Sequence, residues 1–85
     1  MKKLHASAAG LSVGLLWGVS LLVWTLVAAQ NGYGSEVLEL IASIYPGFEV
    51  SGQGAFLGLI WGFLDGFIGA YIIVWLYNHF AAKLK

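Results

Sequence analysis

Few side chains in this sequence are equipped for chemistry, and Asp65 is the most informative of them. It is the one carboxylate within an otherwise apolar run, Gly54 to Phe80 (GAFLGLIWGFLDGFIGAYIIVWLYNHF). In such surroundings a carboxylic acid can carry a proton, face a cation in a water-filled lumen, or act as hydrogen-bonding glue between helices. A charged aspartate at the centre of a membrane helix costs about 2.5 to 3.5 kcal/mol, so neutralisation or pairing is expected. No lysine, arginine or histidine lies at that depth to provide it. His5 and His79 could approach each other near the ends of their apolar runs, but two imidazoles lack the further ligands of a metal site. Glu36, Glu39 and Glu49 could collect cations, but a solvated acidic loop face is their ordinary explanation. The absence of cysteine excludes disulfides, thiolate metal sites and cysteine nucleophiles. Nothing here forms a catalytic constellation, so no enzymatic activity, cofactor or metal is expected.

The elements that position Asp65 follow from composition. At 85 residues the chain is near the lower limit for a water-soluble core, and with 60% hydrophobic and 9% charged residues its solvent reads as lipid. All four lysines (Lys2, Lys3, Lys83, Lys85) sit at the ends, so no basic surface tracks a nucleic acid and no nucleic-acid partner is expected.

In chain order, an apolar segment over about 8–29 predicts a first transmembrane helix. A lysine-bearing start and Val27-Ala28-Ala29 before Gln30 also mimic a secretory signal, but the apolar run exceeds the usual ~7 to 15 residues and carries Trp17 and Trp24. Gln30 to Gly34 is turn chemistry. From about 35 to 45 the apolar residues fall at helical spacing, with Ser35 as a cap and Pro46-Gly47 as a stop. This segment is too short to span and predicts an amphipathic interfacial helix. Ser51 can cap the second span, about 54–80, which at ~1.5 Å per residue is roughly 40 Å long against a hydrocarbon layer of ~30 Å. Trp75, Tyr77, Asn78 and His79 suit one interface, and Tyr33 and Tyr45 the other. The fold class is therefore an all-α membrane protein: one domain, 1–85, built as a two-helix transmembrane hairpin with a short amphipathic helix in the loop. Lysines at both termini and none in the loop predict cytoplasmic ends in a prokaryotic inner membrane.

Glycines recur every four residues at Gly54, Gly58, Gly62 and Gly66, with Gly69 three further on, and at Gly10, Gly14 and Gly18 in the first span. Between helices in lipid, close approach at small residues supplies the contact, so these eight glycines predict a glycine zipper, within the hairpin or between protomers. At ~100° per residue Asp65 falls within roughly 60° of Gly54, Gly58, Gly62 and Gly69, which predicts that it faces a helix or a lumen. A symmetric hairpin pairs positions whose numbers add to about 85. That puts Ser20 level with Asp65 and makes Ser20, Thr25 and Trp17 its candidate partners. Trp17, Trp24 and Trp61 are expected to pack around the glycines.

Two families bear comparison. The proton-translocating ATP synthase c-subunit is also a small hairpin with a carboxylate in its second span, but its glycines alternate every second residue and its loop is basic, whereas here the spacing is four and the loop acidic. The segment Gly58 to Gly69 (GLIWGFLDGFIG), Trp75-Leu76-Tyr77-Asn78, and Leu40 to Gly47 (LIASIYPG) resemble small two-span prokaryotic proteins labelled phage-holin-like. That resemblance covers most of the chain and implies a self-associating, holin-like or pore-type homo-oligomer. The competing expectation is a non-catalytic accessory subunit that packs against a larger membrane protein complex. The lipid bilayer is a partner in either case.

Overall fold

The computed structural model describes residues 3–84, which form three helices: α1 (Ala6–Asn31), α2 (Ser35–Ala42) and α3 (Gly52–Lys83). α1 and α3 make an antiparallel hairpin, and the described residues extend over 51 × 19 × 19 Å. Each long helix exceeds its sequence-predicted span at both ends, because capping groups stand outside the apolar runs. His5 has extended backbone and its Nδ1 accepts the Ala8 N–H at 3.1 Å, while Gly32 (φ 75°) closes α1 by donating to the Ala28 carbonyl at 2.7 Å. Ser51 caps α3, its Oγ accepting from the Gly54 N–H at 2.9 Å.

α2 is shorter than the expected 35–45. It ends at Ala42, and the Ile44 and Tyr45 N–H groups both turn back onto the Ile41 carbonyl. Nor does Ser35 cap it. Gly34 holds that position at φ 66°, and a Cβ there would meet the Trp24 indole at 2.6 Å. α2 buries Leu38 in a cluster with Leu21, Ala28, Tyr45 and Phe48, which fixes the loop onto the end of the hairpin.

Both long helices are long and apolar enough to cross a membrane. Only 28% of the most apolar stretch of α1 and 22% of that of α3 are buried, whereas the core helix of a soluble domain is mostly covered. The packing is reversed relative to such a domain: the α1–α3 contact buries glycines and alanines, while Leu16 (71% exposed) and Ile73 (67%) point outward.

Glycine opposes glycine along this contact. A Cβ on Gly66 would lie 2.8 Å from the Gly14 Cα, and one on Gly62 would lie 2.9 Å from the Gly18 Cα. The paired numbers add to 80, not to about 85, so the register differs from the symmetric expectation by five residues. A Cβ on Gly14 would strike the Phe63 carbonyl at 2.6 Å and one on Gly18 the Leu59 carbonyl at 2.7 Å. A Cα hydrogen therefore points at a backbone oxygen at each repeat, the geometry of weak Cα–H···O contacts.

Candidate functional site

The loop after α2 folds back between the helices. The Phe48 ring covers Gly58, where an added Cβ would meet it at 2.7 Å, and the Glu49 backbone fills the space over Gly54. Tyr45 reaches furthest. Its ring stacks on Trp61 (centroids 6.1 Å apart, planes 13° apart), and its hydroxyl donates to Asp65 Oδ2 at 2.7 Å. Trp17 Nε1 donates to the same hydroxyl at 3.1 Å. A Trp17–Tyr45–Asp65 chain of hydrogen bonds thus joins α1, the loop and α3. Burial is the main reason the Tyr45 phenol is pushed above its ordinary pKa. The Trp17 N–H acts in the opposite direction, and donation to Asp65 together with that residue's charge raises it further.

The loop backbone is held by two further indoles. Trp61 Nε1 donates to the Pro46 carbonyl at 2.8 Å, and Trp24 Nε1 donates to the Tyr33 carbonyl at 3.2 Å. The three tryptophans expected to pack around the glycines therefore serve the loop, because a re-entering irregular segment carries polar groups that need partners.

Of the candidate partners of Asp65, only Trp17 joins its network, and it does so through Tyr45. Ser20 is exposed on the outer face of α1, where it lines a groove of about 870 Å³ with Leu16, Val19, Val23 and Trp24. The register explains this, since α1 residues near position 15 lie level with Asp65. Thr25 is fully buried further along, level with Ala55, and its Oγ1 has no hydrogen-bond partner among the described residues.

Asp65 itself is exposed, so of the helix or lumen expected to face it, the chain's own α1 is not the one. Its Oδ1 has no partner among the described residues. Geometry supplies the reason. The covered residues of α3 are Gly54, Ala55, Gly58, Gly62, Ala70 and Val74, with Gly66 half-covered, and all but Ala55 lie four apart or a multiple of four. On a helix of ~3.6 residues per turn such a ridge winds by about 40° per step. By the level of Asp65 the contact has rotated away from the glycine face of the first turns. Gly69 is left outside with it, because nothing lies within 4 Å of the position a Cβ would take there. A Cβ on Gly10 would meet the Phe67 ring at 2.9 Å, so of the eight predicted glycines only Gly14, Gly18, Gly62 and Gly66 face glycine across the hairpin.

No family model, curated protein or solved structure matches this chain. His5 spends Nδ1 on its cap, and His79 stacks on Trp75 at 5.8 Å. Among the described residues no group of three or more histidines or carboxylates is placed to hold a metal. Glu36, Glu39 and Glu49 are exposed. Sequence reasoning missed two residues. It placed Tyr45 at an interface, and only the apolar company of a phenol beside Pro46-Gly47 hinted otherwise. It also assigned Asn78 to the interfacial girdle, whereas the Asn78 amide accepts from the Leu4 N–H at 3.0 Å and donates to the Leu4 carbonyl at 2.8 Å, clamping the N-terminal lead to α3.

Proposed function

We propose that this chain is a small integral membrane protein of non-catalytic function, an accessory subunit that works by packing its hairpin against other membrane helices. The observation that carries this reading is Asp65: an intramembrane carboxylate held by Tyr45 through one oxygen yet exposed on the outer side of the hairpin, one turn from Gly69, whose Cβ position is open. The outward-facing apolar side chains support a bilayer around it, and the terminal lysines support cytoplasmic ends in a prokaryotic inner membrane. A pore-type, holin-like homo-oligomer is the second reading. Asp65 favours it to the extent that rings of carboxylates line cation-conducting lumens. Against a water-filled lumen stand its exposed neighbours Leu64, Ile68 and Ile72, all apolar.

Native mass measurement after mild solubilisation separates the two. A fixed stoichiometry with another membrane protein is the expected result. A self-ring that releases dye from vesicles would replace it with the second reading.

A further inference from the structure

We infer that the outer face of α3 around Asp65, Ile68, Gly69 and Ile72 docks a foreign membrane helix carrying a lysine or arginine side chain at mid-depth. The inference rests on the membrane reading above and names the chemistry of the partner.

Three observations converge on this face. Asp65 is oriented, not loose: Oδ2 is held by Tyr45 at 2.7 Å and Tyr45 by Trp17 at 3.1 Å, while Oδ1 has no partner among the described residues. One turn away, Gly69 has nothing within 4 Å of its Cβ position, so a second backbone can come close. The flanking surface is apolar, with Leu64 45%, Ile68 55% and Ile72 50% exposed.

Such a face suits a dry helix contact with one polar anchor. Charge decides the occupant. The basic side chains of this chain, Lys2, Lys3, His5, His79, Lys83 and Lys85, all lie near its ends, and Lys83 is roughly 27 Å along the helix from Asp65. A second copy, parallel or antiparallel, brings another Asp65 to that depth and no cation. A basic residue on a different helix supplies the charge and the donors that Oδ1 lacks.

The test uses the full-length protein in phosphatidylcholine vesicles with labelled Leu/Ala-rich membrane-spanning peptides, one with a central lysine and one with leucine there. Energy transfer should report association of the lysine peptide roughly tenfold tighter than the leucine peptide. Asp65→Asn, which keeps an acceptor for Tyr45, should abolish the preference. Gly69→Leu, which meets nothing within the hairpin and projects from its outer face, should weaken binding of the lysine peptide. Equal association of both peptides, or a preference that survives Asp65→Asn, would overturn the docking face. So would Asp65-dependent self-association that excludes the lysine peptide. Alkaline carbonate extraction is run alongside: release of the protein would overturn the membrane reading and the docking face together, whereas retention without lysine preference would overturn the docking face alone.

Discussion

At the residue scale Tyr45 carries two jobs with one hydroxyl, accepting from Trp17 and donating to Asp65. Tyr45→Phe leaves the ring stacked on Trp61 but removes both bonds, and should lower stability in micelles by about 1 kcal/mol. Denaturant unfolding followed by circular dichroism measures this. The Trp17 indole N–H resonance should shift in the same variant, and an unmoved resonance would refute the shared-hydroxyl geometry. The phenol also sets a pH dependence. With its pKa raised in the folded state, folded and unfolded chains bind the proton equally below the ordinary tyrosine range, so the contribution to stability is complete there. As pH climbs past that range the unfolded chain loses its proton first, and the contribution is lost as pH rises through the folded value. Unfolding titrations at increasing pH should show this fall in the wild type and lack it in Tyr45→Phe. Neither bond was legible in the sequence, because a tyrosine next to Pro-Gly has the same appearance whether it meets a headgroup or an acid on a neighbouring helix.

At the element scale the glycines differ in what surrounds them. Gly18→Ala would press a methyl against the Leu59 carbonyl, and Gly66→Ala one against the Gly14 Cα. Each should cost about 1 to 3 kcal/mol as the helices are forced apart. Gly69→Ala meets open space and should instead gain up to ~1 kcal/mol of helix propensity. Thermal unfolding of the three variants in one detergent makes the comparison, and a Gly69→Ala loss as large as the others would contradict the register. The existence of the two long helices, the turn at Gly32 and the Ser51 cap were all readable, since apolar length and capping chemistry are local properties. The register was not. It depends on which glycines meet, and a wheel of ~100° per residue treats as one face a ridge that winds by about 40° every four residues. That single approximation is why Asp65 and Gly69 share a wheel face with Gly54, Gly58 and Gly62, although the hairpin covers those three and leaves Asp65 and Gly69 on its outside.

For the whole molecule, the orientation proposed from the lysines has a direct test, because the chain has no cysteine of its own. A single Glu36→Cys in the exposed first turn of α2 should react with a membrane-impermeant maleimide on intact cells. Ala82→Cys near the end of α3 should react only after permeabilisation. The opposite pattern would invert the topology. At the open end of the hairpin, Asn78→Ala should free the lead before α1, seen as faster hydrogen exchange at the Leu4 amide, with the loop end unaffected.

The bond from Tyr45 to both Trp17 and Asp65 also ties the loop to the register of the helices. Its three members come from separate segments, 28 and 20 residues from the tyrosine, and both bonds to the hydroxyl can form together only where α1 and α3 have met in register. Any change that slips one long helix past the other should therefore be reported first by loss of the Trp17 bond to Tyr45, before either helix has lost a turn.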